Sequence, residues 1–183
     1  VLKCHRDQVQ AIHGWGDYIF TGGKGSPSSG SLMVWDLRKL NPNQASRKKK
    51  KIRISSPLYC FVYLGFASKI FYYGTRNHSI RRINIGSWDI LSLFKPPHLD
   101  SVTGLAIVKD RLVSGSKDKH LRLWALDHAV NNSKHTLHAF NDYVNTVQSK
   151  FLIDIGPANH PIIYAGSKDG QVKACFSKND RIE

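Results

Sequence analysis

Short apolar runs recur along this chain, each ending in a cluster of small residues and glycine. Tyr18-Ile19-Phe20, Ile70-Phe71-Tyr72, Leu112-Val113 and Ile162-Ile163-Tyr164 are the clearest of them. A polar turn comes after each, and then a second run that alternates apolar and polar residues at period two. Short runs rich in β-branched and aromatic residues read as strands, and no segment sustains the 3.6-residue period of a helix. A further strand is expected before three of the pairs, at 9–12, 102–107 and 144–147, and another after three of them, at 52–54, 91–94 and 136–137. Four antiparallel strands per unit is the expected pattern.

The units echo one another. LVSGSKDKHLRLWAL at 112–126 returns as IIYAGSKDGQVKACF at 162–176. Aligning these on Gly115 and Gly166 brings out weaker copies at Gly22 and Gly74, so the four glycines are separated by 52, 41 and 51 residues. That spacing suits the blade of a propeller with insertions and not the shorter repeats of helical solenoids. Repeated four-stranded antiparallel units form an all-β propeller. The chain therefore reads as one domain with approximate blades at 5–56, 57–97, 98–137 and 138–183.

The third unit carries a family resemblance. His98 stands four residues before Val102; Ser114-Gly115-Ser116, Asp118 and Leu121-Arg122-Leu123-Trp124 come next. This resembles a WD40 repeat. The first unit is similar, with His5, Thr21-Gly22 and the literal Trp35-Asp36. The resemblance implies a WD40-type β-propeller and, in regular blades, a hydrogen-bonded tetrad of His, Ser or Thr, Asp and Trp. Carried over, that tetrad is His98, Ser114, Asp118 and Trp124, with a partial set in His5, Thr21, Trp35 and, from the fourth unit, Asp169. A buried indole N–H and a buried imidazole both need partners, which makes such a set physically reasonable.

The other units depart from the pattern. Lys24-Gly25 occupies the turn where the first unit should have its Asp. Tyr73 and Ile83 replace Ser and Trp in the second unit, and Phe140, Ala165 and Cys175 replace His, Ser and Trp in the fourth. Cys175 is expected to pack as a small apolar residue in a blade without a tetrad. Trp88-Asp89 falls too far from Gly74 to be the motif and belongs to the outer part of its unit. FSKNDRIE is expected to stop after the third strand of its unit. About four blades are present, and the expectation is part of a larger propeller with exposed edges.

Charge changes this picture more than composition does. Hydrophobic residues make up 41% and charged residues 22%, values ordinary for a folded globular chain. Lys and Arg number 27 against 13 Asp and Glu, a net charge of +14 that favours anionic partners. The basic run Arg47-Lys48-Lys49-Lys50-Lys51-Ile52-Arg53 concentrates it. This run reads either as a solvated loop leading into an outer strand or as a site for acidic protein, RNA or anionic lipid. Arg81-Arg82 resembles half of a phosphoinositide-binding motif whose next residue, a Gly, is here Ile83, and is assigned to structure.

Cys4, Cys60 and Cys175 show no pairing or zinc-ligand spacing, and the nine histidines show no ligand pattern, so neither metal nor cofactor is expected. No apolar stretch is long enough for a membrane span and no signal peptide is visible; the expected location is cytoplasmic, with nuclear open. Nucleophile-elbow, P-loop and zinc-protease motifs do not occur, so no enzyme and no small-molecule substrate are expected.

These features together imply a rigid platform whose faces bind other macromolecules. Within the WD40 family, Lys95-Pro96-Pro97-His98-Leu99-Asp100 running into Val113-Ser114-Gly115-Ser116, with His160-Pro161 later, resembles the tail propeller of certain kinesin-like motors. That implies a cargo-binding or microtubule-binding tail, and acidic microtubule surface would suit a basic face. A substrate-recognition propeller of a ubiquitin ligase, and an RNA-associated propeller of a ribosome-assembly or splicing complex, remain the alternatives.

Overall fold

The computed structural model of the chain describes residues 5, 8–26, 29–39, 48–64, 69–126, 133–150, 161–178 and 181–182. Four antiparallel sheets contain its strands in chain order. The first holds β1 (Val9–Trp15), β2 (Tyr18–Ser26), β3 (Ser29–Asp36) and β4 (Lys48–Ile54), and the second β5 (Leu58–Tyr63), β6 (Ile70–Thr75), β7 (Ile80–Asn84) and β8 (Ile90–Leu93). The third holds β9 (Val102–Val108), β10 (Arg111–Ser116), β11 (His120–Ala125) and β12 (Ser133–His138). The fourth holds β13 (Val144–Lys150), β14 (Ile162–Ser167), β15 (Val172–Lys178) and β16 (Arg181–Ile182). Each sheet is one blade of a β-propeller. A single turn of 3-10 helix, Leu37–Lys39, comes after β3.

Three apolar seams hold neighbouring blades together. Phe20, Leu32 and Val34 of the first blade meet Leu58, Phe71, Tyr73 and Ile83 of the second. Tyr72, Ile80 and Phe94 meet Val102, Leu112 and Trp124 in the next seam. Val113, Leu121 and Leu123 then meet Val144, Val147, Ile163 and Ala165 in the last. Along β6, Ile70 and Tyr72 point into one seam while Phe71 and Tyr73 point into the other. Successive side chains of a strand face opposite ways. A middle strand with a blade on both sides therefore buries every residue, and its sequence reads as an unbroken apolar run.

Two strands depart from the sequence reading. The outer strand of the first blade begins at Lys48 and not at Ile52, so the lysines are part of the sheet: Lys50 pairs with Val34 and Lys51 with Met33. An edge strand needs only one neighbour, and lysines on it discourage further pairing. The fourth blade does not stop after three strands. Arg181 and Ile182 turn back onto Lys178 and Ser177, and Ile182 is buried against the seam beside its neighbour blade. Two residues carry too little pattern to announce a strand, and burial of one isoleucine holds it. The last strand of the third sheet, β12, ends at His138.

Candidate functional sites

The third blade builds a complete hydrogen-bonded relay. β11 delivers Trp124, β10 delivers Ser114, the β10–β11 turn delivers Asp118, and the loop before β9 delivers His98. The Trp124 indole N–H donates to Ser114 Oγ at 2.8 Å, Ser114 Oγ lies 2.7 Å from His98 Nε2, and His98 Nδ1 lies 2.7 Å from Asp118 Oδ2. Asp118 also accepts the amides of Leu99 and His120. Burial draws the His98 imidazole below its ordinary value, outweighing the pull of Asp118 toward the charged form. Burial alone would raise Asp118. The hydrogen bond and charge of His98 and the two amide donors instead hold it below the ordinary carboxylate range. A neutral His98 donating from Nδ1 leaves Nε2 to accept the Ser114 hydroxyl, so each donor in the relay has one acceptor.

The order Ser–His–Asp is also that of a nucleophile, a base and an orienting acid. Here it is structural. Ser114 is 0% exposed and its oxygen already accepts the indole N–H, so no substrate carbonyl can approach it.

The first blade closes its set differently. His5 Nε2 and the Trp35 indole both meet Thr21 Oγ1 at 3.0 Å, while His5 Nδ1 meets Ser31 Oγ at 2.8 Å. Ser31, on β3, thus does part of the work of the missing aspartate, which sequence reasoning missed because Ser31 lies across the hairpin. In the second blade, Thr75, Asn77 and Ser79 hydrogen-bond together in the β6–β7 turn, with Asn77 where the third blade has Asp118. The fourth blade has no relay at the matching positions. Phe140, Ala165 and Cys175 all lie buried in one apolar seam, and Asp169 caps its own turn by accepting the Gln171 amide at 3.1 Å. Trp88 sits with positive φ in the turn between β7 and β8, at the outer part of its blade.

Of the candidate basic residues, Lys50, Lys51 and Arg53 are exposed along β4. Lys48 and Lys49 belong to the same strand, and Arg47 lies outside the described residues. Arg82 is buried and Arg122 donates to the carbonyls of Pro96 and Pro97. Among the described residues no three His, Cys, Asp or Glu side chains group as metal ligands, and no helix is long and apolar enough to cross a membrane.

Residues 90–125, which contain the whole relay of the third blade, match the family model described as WD domain, G-beta repeat. The fold is a WD40-type β-propeller. Among solved structures, the RRP9 WD40 repeats superpose with a TM-score of 0.71 at 22% identity, over 94% of this chain and 49% of that one. The computationally designed Ika4 protein superposes with a TM-score of 0.70 at 18% identity, over 97% of this chain and 96% of that one. At such identities these likenesses concern the WD40 fold alone.

Similarity in sequence runs to kinesin-like proteins. Kinesin-like protein KIF21B of Homo sapiens is 27% identical over 107 residues, 55% of this chain and 6% of that protein. Kinesin-like protein klp-12 of Caenorhabditis elegans is 26% identical over 155 residues, 79% of this chain and 9% of that protein. The chain thus spans less than a tenth of the curated relatives it matches. WD40 propellers generally serve as non-catalytic platforms for protein partners.

Proposed function

We propose that this WD40 propeller is a non-catalytic scaffold that docks an acidic protein surface, in the role of a tail propeller of a kinesin-like motor. The observation that carries the reading is the placement of the basic run. Strand β4 is the outermost strand of its blade, and Lys50, Lys51 and Arg53 stand exposed on it. A rigid strand showing Lys51 and Arg53 on one face and Lys50 on the other gives a large anionic partner cations to meet without ordering a loop first. The resemblance to kinesin-like proteins is what suggests the class of partner, a microtubule or cargo carried along one.

Co-sedimentation with stabilised microtubules tests this. The chain should pellet in a salt-dependent manner, and replacing Lys48 to Lys51 with Gln should weaken binding at least tenfold. Equal pelleting of parent and variant would sink the proposed rim site. RNA is the second reading, favoured by the +14 charge. It predicts that a mixed-sequence single-stranded RNA binds, and that the same variant loses affinity for every sequence with a flatter salt slope.

A further inference from the structure

Each seam between blades is built from the same two parts. Apolar side chains at the start of one blade's inner strand project over the repeat glycine of the blade before it. Leu58 and Phe61 close on Gly22, Val102 closes on Gly74, and Val144 with Val147 closes on Gly115. Leu58, Val102 and Val144 are fully buried there. In the first blade the matching positions of β1 are Val9 and Ile12, and these are 48% and 70% exposed. In the fourth blade the repeat glycine has no inner strand over it. Among the described residues, a methyl group on Gly166 would meet only Thr146 of its own blade. One end of the row of blades thus presents the projecting half of a seam, and the other end presents the recess.

The recess has an apolar surround. In the third blade, Val113, Leu121 and Leu123 are buried against the fourth. Counted from the repeat glycine, their counterparts in the fourth blade are Tyr164, Val172 and Ala174. Tyr164 pairs with Ala174 and Gly166 with Val172, so all of them share one side of the sheet. They are exposed, Val172 at 74%, and so is Phe176 on the same strand. A single exposed apolar side chain is ordinary, but a contiguous row of them marks an interaction surface.

We propose that two copies of this chain join head to tail into a closed ring of eight blades, with Val9 and Ile12 of each copy seated over Gly166 of the other. The two end faces complement each other and not themselves. Val9 and Ile12 set against their own copies would oppose two projections with no glycine to receive either. A contact between two different patches closes into a ring only where the rotation fits. Here the arc supports closure: over 94% of its length the chain superposes on 49% of the RRP9 WD40 chain, so its four blades fill about half of such a fold. Lys51 and Arg53 share the side of β1 that carries Ile12 and Val9, but they stand on the outermost strand. Outer strands stay open even in closed seams, where Ile90 and Leu91 of β8 are exposed. The dimer therefore leaves β4 accessible, and the two surfaces stand or fall separately.

Analytical ultracentrifugation of the 183-residue chain over a concentration series tests this. The expected result is a monomer–dimer equilibrium that ends at the dimer. Added salt should strengthen it, because two chains of charge +14 repel, whereas salt weakens docking on an acidic surface. Ile12→Glu and Val172→Glu should each weaken dimerisation at least tenfold. An equimolar mixture of the two variants should form a dimer that neither forms alone, since one seam then has both of its faces unaltered. Both positions are exposed, so unfolding curves of the dilute monomers should match the parent. Val9→Glu and Phe176→Glu serve in their place if a curve shifts. Monomer at every concentration would overturn the proposal and leave the two faces to blades of another chain. Growth beyond the dimer would overturn closure of the ring. A dimer that survives Val172→Glu, or a mixture that stays monomeric, would overturn the head-to-tail arrangement.

Discussion

A methyl group placed on Gly115 would lie 2.6 Å from Cγ1 of Val144, the first residue of the next blade's inner strand. Gly74 stands in the same relation to Val102, and Gly22 to Leu58, so the repeat glycine marks where the neighbouring blade packs against the sheet. Among the described residues, Gly166 meets only Thr146 of its own blade, at 3.2 Å. Gly115→Ala should therefore destabilise by about 2 kcal/mol through overpacking. Gly166→Ala should stay within about 0.5 kcal/mol of the parent, since nothing rigid opposes it. Urea denaturation of both variants decides; equal effects would discard the packing explanation.

Removing Ser114 leaves the Trp124 indole N–H without its acceptor in a fully buried place. Ser114→Ala should cost about 2 kcal/mol, the usual range for an orphaned buried donor. Adding Trp124→Phe removes the donor too, so its further cost should be smaller than that of Trp124→Phe made alone. Chemical denaturation of the two single variants and the double variant measures that coupling.

Acidification should weaken the fold before the carboxylates titrate. His98, His5 and His13 are all drawn below the ordinary value of 6.5, chiefly by burial. The unfolded chain then binds more protons than the native one as pH falls through the ordinary histidine range, so stability rises with pH there and is lost below about 6.5. The urea midpoint should be lower at pH 5.5 than at pH 7.5, and His98→Asn should shrink that difference. Asp118, held below its ordinary value, adds a second loss only below about pH 3.8. A midpoint that does not move between pH 7.5 and 5.5 would count against this assignment.

His78, Lys119 and Gly170 occupy the same turn position, four residues after the repeat glycine, and all have positive φ, at 69°, 73° and 81°. A side chain is strained there and glycine is not. Lys119→Gly should raise stability by up to about 1 kcal/mol and Gly170→Ala should lower it by a similar amount. Thermal unfolding of the pair checks the opposite signs.

Burial pushes the Cys60 thiol up to about 12, and raises Cys175 as well. Neither should react with iodoacetamide at pH 8 while the chain is folded, because the thiolate is the reactive form. Both should alkylate in 6 M guanidinium, as peptide mapping would show. Rapid native labelling of either would contradict the packing of its seam.

The repeat was legible in the chain because its causes are local. Alternating side chains, turn residues and a glycine at a fixed place recur within each unit, and a relay such as His98, Ser114, Asp118 and Trp124 has all its members inside one blade. The apolar replacement at Phe140, Ala165 and Cys175 could be read the same way, from residue type at a matching position. Ser31 opposite His5, the two-residue strand at Arg181 and the entry of Lys48 into a sheet were not legible. Each depends on which backbone lies alongside another, and no period in the sequence records that. The basic charge of the chain belongs to its composition, but its arrangement belongs to the fold. Strand pairing sets Lys50, Lys51 and Arg53 along β4. Sequence alone determines which residues recur; only packing of one blade on the next determines which of them meet.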